Sequence, residues 1–416
     1  MTSFGRRLAG FAGLPMISLV TPLLVLPVLG RVAGERGWAS LAAGESIGTL
    51  AAIVIAYGWN TSGPPRVALE SDNAERVVLY RESLWVRCAL AAVCTPVVVL
   101  LCLAVASPGY GAATVLMGLA GSVTGLSFAW FAVGSGTPGA IAVYEAVPRV
   151  VAAACAALLV VLTRELVVYP VLAITASVGG IALYSRRTLR GAVRPAWGRQ
   201  HLWRLLRRDR AVAFNDVAGG AYQSVPVPVV SLTSPAPAAA GYASADKLLK
   251  FGQYVPITLA NAFQSWTVEG PSTERGRRLG IAVGTHVGVG LLGWAVLTLL
   301  GPSVSGVLFG PDVAAPRSTC FWLGAAFLLV STRISLTRHV LVPRGRIRVV
   351  VASTVCGALV GVASVVGLSL LHGPDGAAAG LAMGEVTATA LLVRPAFRTA
   401  REWASTREAA PITEEL

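Results

Sequence analysis

Residues Leu8–Gly30 read LAGFAGLPMISLVTPLLVLPVLG, without one charged side chain, directly after Arg6 and Arg7. A secretory signal peptide has an apolar core of only ~7–15 residues, followed by a small-x-small cleavage site. This run is longer, and no convincing cleavage site with a soluble domain behind it follows. A helix needs ~20 mostly apolar residues to cross the hydrocarbon of a bilayer. We therefore read the stretch as a retained membrane helix, and the rest of the chain repeats the pattern.

Further spans are expected near residues 38–60, 83–106, 111–134, 138–163 and 166–185. A second set is expected near 211–231, 240–266, 279–301, 318–336, 347–371 and 376–396. The predicted fold class is all-α: a polytopic membrane protein with about twelve transmembrane helices in two six-helix bundles related by a pseudo-twofold. Residues 1–185 form the N-terminal bundle and 186–210 a basic cytoplasmic linker. Residues 211–396 form the C-terminal bundle and 397–416 a cytoplasmic tail. Composition agrees: of 416 residues, 55% are hydrophobic and 13% charged, and mean hydropathy is +0.68. Soluble domains run near ~25% charged.

The formal net charge of +14 and pI of about 10.2 would suggest nucleic acid in a soluble protein. Here the excess is placed by topology. With the N-terminus inside, roughly 25 of the 34 Lys and Arg residues fall in cytoplasmic segments, the asymmetry expected of inner loops. Both termini are then cytoplasmic. The linker Arg186–Arg210 holds nine arginines. Its part from Trp197 to Arg210 suits either a short helix lying on an anionic leaflet or an ordinary positive-inside connection. A shift of 204 residues places Trp38-Ala39-Ser40 on Tyr242-Ala243-Ser244, Gly48 on Gly252 and Asn60 on Gln264. Prolines recur in the first helix of each half, Pro15, Pro22 and Pro27 against Pro226 and Pro228. Internal duplication of this kind is common among transporters.

Several chemistries are excluded. The six cysteines form no C-x-x-C pair and the four histidines have no zinc-ligand spacing, so no metal site is expected. There is no phosphate-binding loop, nucleophile elbow or H-E-x-x-H. Connections on the outer side are short, leaving no external domain for a catalytic site. We expect neither catalytic residues nor a cofactor, and no nucleic-acid partner.

Charges at membrane depth carry the functional reading, because each costs at least ~2.5–3.5 kcal/mol to insert and faces a polar path or a partner. Three are basic: Arg149, Lys247 and Lys250. In Tyr144-Glu-Ala-Val-Pro-Arg149, Glu145 and Arg149 lie four apart on one helix face, and Pro148 removes a backbone donor between them. In Ala245-Asp-Lys-Leu-Leu-Lys250, Asp246 is four from Lys250, whereas Lys247 has no carboxylate partner in its own helix. Glu45, Asp216 and Glu385 are further acids at depth, beside Asn215. Glu45 or Asp216 either carries a coupling proton or neutralises a nearby base. Arg87 and Arg333, near cytoplasmic ends, either snorkel to the headgroups or form the inner mouth of a cationic cavity. Gly63-Pro64-Pro65 is expected to stop helix two. Trp59 and the aromatic cluster Ser127-Phe-Ala-Trp-Phe131 suit interfacial anchors, with sugar stacking as the alternative.

These stretches resemble the Wzx-type polysaccharide flippases of the multidrug/oligosaccharidyl-lipid/polysaccharide exporter superfamily. The resemblance rests on Tyr57-Gly58-Trp59-Asn60 with Gly63-Pro64-Pro65-Arg66, on Gly125-Leu126-Ser127 with Trp130-Phe131, on Pro148-Arg149 and on Ala245–Lys250. It implies a flippase that moves undecaprenyl-pyrophosphate-linked oligosaccharide from the cytoplasmic to the outer leaflet of a bacterial plasma membrane. Arg149, Lys247, Lys250, Arg87, Arg333, Asn60 and Trp130 would bind substrate. Glu45, Glu145, Asp216 and Asp246 would couple or ion-pair. Partners would be the anionic lipid-linked oligosaccharide, membrane lipids, and a polysaccharide polymerase with glycosyltransferases. The Gly/Pro-rich end of helix two and an Ala/Val/Arg-rich chain depart from the family and leave the sugar open. A cation-coupled drug exporter of the same superfamily is the alternative, and a membrane polymerase or ligase a more distant one.

Overall fold

The computed structural model describes residues 2–190, 198–268 and 272–405, and these contain no strand. Residues 191–197 of the basic linker and 406–416 of the tail lie outside the described residues. The helices are α1 (Thr2–Ala56), α2 (Trp59–Leu69), α3 (Asn73–Val105), α4 (Gly111–Val123), α5 (Ala129–Gly134), α6 (Gly139–Ile141), α7 (Val147–Thr163) and α8 (Val168–Thr188). They continue with α9 (Arg199–Ser224), α10 (Pro226–Thr233), α11 (Ala236–Gly252), α12 (Tyr254–Val268), α13 (Ser272–Phe309), α14 (Arg317–Ser335) and α15 (Ile347–Ser405). Single-turn π-helices at Ala142–Ala146 and Leu336–Leu341 interrupt two of the runs.

Among the described residues, eight helical stretches are long and apolar enough to cross a membrane. Two of them bend at a glycine in the left-handed region, Gly34 in α1 (φ 60°) and Gly373 in α15 (φ 57°), where a side chain would be strained. The expected boundaries at 30–38 and 371–376 bracket these two residues. The expected spans at 211–231 and 240–266 fall on α9–α12, which do not add to the eight. α9 begins among arginines, and Pro226 and Gln253 divide the apolar runs into shorter helices.

Packing is inside-out relative to a soluble protein. Alanines such as Ala43, Ala156, Ala240 and Ala377 are buried between helices, while Leu100, Leu162, Leu292 and Leu371 are exposed on the outside. Without a hydrophobic drive between helices in lipid, close contact of small residues holds such bundles together. At the start of α3, the Asp72 side chain accepts from Ala74 N at 2.9 Å and supplies a cap that satisfies a free donor.

The end of helix two differs from expectation. The break comes earlier, at Tyr57 (φ 47°) and Gly58 (φ 76°), and α2 then runs through Pro64 and Pro65 to Leu69. A proline's fixed φ is helical, so it costs backbone bonds without forcing a stop. Packing replaces them: Val67 is buried, and Arg66 pairs with Asp209 of α9 at 2.5 Å. Trp59 and Trp130 are also buried, with ring centroids 5.1 Å apart, beside Tyr80, Phe128 and Tyr184. They hold α2, α3, α5 and α8 to one another, and as buried rings they are not exposed in the manner of interfacial anchors. The linker segment from Arg199 is continuous with span seven as α9. Its Tyr57 Oη→Leu206 O bond (3.0 Å) and Arg208–Glu82 pair (3.4 Å) rest it on protein.

Candidate functional site

Helix five enters the site through a backbone defect. The π turn Ala142–Ala146 carries Glu145, and Pro148 stands in the first turn of the regular helix that carries Arg149. Pro148 has no N–H to give the Tyr144 carbonyl. That oxygen lies so close to α8 that a Cβ on Gly180 would sit 1.8 Å from it. π turns of this kind concentrate at functional positions because they re-aim side chains. Glu145 and Arg149 pair at 3.0 Å. Ser127 Oγ donates to Glu145 at 2.7 Å, and Arg149 Nε lies 3.4 Å from Ser177 Oγ.

Glu145, Arg149 and Ser177 line a cavity of about 360 Å³, together with Glu45, Thr49 and Tyr169. Glu45 binds Lys247 of α11, so the base without a partner in its own helix has one across the molecule. Trp38 Nε1 donates to Ser244 Oγ at 2.9 Å one turn away, fixing the same helix pair. Lys250 pairs with Asp246 at 2.7 Å. Beside them Arg333 Nε and Glu385 meet at 2.9 Å, with Tyr222 Oη bonded to both. Asp246, Lys250, Tyr222 and Glu385 enclose a space of only about 10 Å³ with Gln253. That is scarcely room for one water.

The pairs share a polarity. Side-chain exposure is 29% for Arg149 against 13% for Glu145, 35% for Lys250 against 3% for Asp246, and 18% for Arg333 against 1% for Glu385. In each the carboxylate lies behind and the base is offered outward. Lys247 and Glu45 reverse the order, at 9% and 35%.

The other expected residues are placed differently. Arg87 neither snorkels nor lines a cavity. It is fully buried, and its guanidinium donates to the Ser83, Gly125 and Ser127 carbonyls, the last at 2.6 Å. The chain breaks between α4 and α5, which frees the Gly125 and Ser127 carbonyls, and Arg87 caps them over the Trp130 ring. Asn60 and Asp216 lie together, but in a separate open cavity of about 340 Å³ with Asn215, where Thr61 Oγ1 donates to Asp216 at 3.0 Å. Ser177, Tyr169, Thr49 and Tyr222 escaped the sequence reading. Each is an uncharged residue in an apolar helix, with nothing local to mark which way it faces. Ser127 stood in a quoted motif, read there for its aromatic neighbours. His286 and His339, scattered in the sequence, pack ring to ring at 5.3 Å and bond to backbone carbonyls.

No family model matches the sequence, and no curated relative matches it. The fold does match solved structures. An inward-facing multidrug resistance MATE family transporter of the MOP superfamily superposes with a TM-score of 0.69 at 16% identity, over 93% of this chain and 96% of that one. The lipid II flippase MurJ in an inward closed conformation gives 0.67 at 9% identity, over 94% and 89%. The eukaryotic MATE transporter AtDTX14 gives 0.53 at 14%, over 97% and 98%. At such identities the likeness is one of architecture: the chain is an all-helical, multi-pass membrane protein with the fold shared by MATE transporters and MurJ.

Proposed function

We propose that this chain is a lipid-linked oligosaccharide flippase of the Wzx type. Twelve spans would form two six-helix bundles, 1–185 and 211–396, that rock about the Arg149–Glu145 and Lys247–Glu45 pairs. The observation that carries the reading is the order of burial in the ion pairs. Three carboxylates lie behind their bases, so a pyrophosphate or acidic sugar approaching Arg149, Lys250 or Arg333 meets the base before the acid paired with it. A site for organic cations would be built the other way round. The likeness to MurJ supports a lipid-linked substrate, and the likeness to MATE transporters supports alternating access. The 204-residue shift gains support from the Trp38–Ser244 bond, since the two matched segments face each other.

Glu45 is the exception and suits a different task. As the more exposed member of its pair, it is open to a proton from the cavity or to displacement by an anion. Either event releases Lys247 and breaks a contact between the two proposed bundles. If the proton is the trigger, transport would be coupled to the proton gradient. Both termini and the basic linker would face the cytoplasm of a bacterium, and neighbouring polymerase and glycosyltransferases would use the same lipid carrier.

The test is transport in proteoliposomes with a fluorescent pyrophosphate-linked saccharide, run beside an organic dye cation. Lys247→Ala and Arg149→Ala are expected to abolish saccharide flipping. Dye export by the unaltered protein without saccharide flipping would establish the drug-exporter alternative. Indifference to an imposed pH gradient would remove Glu45 from any coupling role.

A further inference from the structure

A second cavity, of about 590 Å³, lies on the other side of the same π turn. Ile141, Glu145 and Ala146 face the cavity of Arg149, whereas Ala140, Val143 and Tyr144 line the second. Arg76 and Arg187 are its charged residues, joined by Asn73, Thr137 and Thr188. No Asp or Glu lines it among the described residues. Neither arginine has a carboxylate partner there: Arg76 Nε donates to the Glu70 carbonyl at 2.7 Å, and Arg187 Nη1 to Tyr144 Oη at 3.1 Å. Both guanidinium groups keep donors for something else.

Position narrows what that is. α3 begins at Asn73 and α8 ends at Thr188, so the cavity sits at helix ends, on the side assigned to the cytoplasm. From its rim a line of exposed valines, Val143, Val147 and Val151, runs along the outer flank of helix five. Residues four apart share a helix face, so the line leads from the polar cavity toward the membrane interior. A soluble anion has no use for such a track, but an acyl or polyprenyl chain does.

We propose that this cavity is a docking site for the phosphate headgroup of an anionic lipid, with Arg76 and Arg187 on the phosphate and the lipid chain along Val143, Val147 and Val151. Basic pockets between helices on the cytoplasmic side bind anionic headgroups in this manner. Only the side of the membrane is taken from the flippase reading; the chemistry of the cavity stands without it.

The chemistry has two sources, membrane phospholipid and the polyprenyl phosphate carrier, and native mass spectrometry of the full chain in neutral detergent separates them. Dioleoylphosphatidylglycerol, undecaprenyl phosphate and dioleoylphosphatidylcholine are titrated in turn. Saturable capture of either anionic lipid, weakened about fivefold by Arg187→Gln and further by Arg76→Gln, is expected. Arg187 is exposed, so its single exchange keeps the test valid if the double variant fails to fold. The distant Arg317→Gln should leave capture unchanged. Capture of both anionic lipids assigns the site to lipid phosphate in general, and capture of one alone to that source. Equal capture of phosphatidylcholine, or indifference to both arginine exchanges, overturns the proposal. Transport is not read, so failure here is distinct from failure of the flippase reading.

Discussion

At the scale of single residues, burial decides which half of an ion pair the fold depends on. Removing one partner of a buried pair costs ~3–5 kcal/mol because the other is left uncompensated, whereas an exposed partner returns to water. Lys247 is the deeper member of its pair, so Glu45→Ala should lower the melting temperature in detergent more than Lys247→Ala does. Equal melting shifts would contradict the asymmetry. Arg333→Ala strands Glu385, which is bonded to Tyr222 and almost fully buried. It should therefore lose folded protein, and Arg333→Met with Glu385→Leu should recover it. Size-exclusion yield of the two variants checks this. Arg149, more exposed than Glu145, is a different case. Its exchange to alanine should spare folding and strike transport.

At the scale of elements, the π turn before Pro148 places Glu145 and Tyr144 toward different cavities. The Tyr144 carbonyl fits against α8 only because residue 180 is glycine. Gly180→Ala would bring a methyl group to 1.8 Å of that oxygen. Overpacking of this kind costs ~1–3 kcal/mol, so the variant should melt earlier and lose the proposed transport as the Glu145–Arg149 pair shifts. Unchanged melting would mean that helix five yields freely at this turn. The break between α4 and α5 depends in the same way on Arg87, whose donors take the freed carbonyls. Arg87 was expected among substrate-facing cations, and its depth in the bundle gives it a structural task.

At the scale of the molecule, two sets of contacts join the proposed bundles, one at each end. At the end assigned to the outside, Arg31 donates to the Leu308 carbonyl at 3.1 Å and to that of Val307, and Trp38 packs on Phe309 at 5.0 Å. At the other end, α2 and the break before it are tied to α9 by Arg66–Asp209 and Tyr57–Leu206. Alternating access requires each set to part in turn. Asp209→Asn with Tyr57→Phe should raise labelling of a Thr49→Cys reporter by a membrane-impermeant maleimide from the cytoplasmic side. Arg31→Gln should raise it from the outside. Labelling unchanged by either exchange would show that these contacts do not gate the cavity.

Much of the architecture was legible in the sequence. Apolar length is a property of contiguous residues, and water or lipid reads it directly, so eight membrane-length helical stretches and the breaks near Gly34 and Gly373 could be expected, whereas the expected spans at 211–231 and 240–266 did not add to them. The i,i+4 pairs Glu145–Arg149 and Asp246–Lys250 followed from helix periodicity alone. Partners distant in sequence did not follow. Lys247 with Glu45, Arg333 with Glu385 and Tyr222, and Arg87 with the carbonyls of a broken helix meet only because particular helices pack together. The sequence by itself determined a helical membrane protein with bases held at depth. Only the tertiary structure decided which base faces a cavity, since that depends on which neighbour lies behind it, and no local pattern records the neighbour.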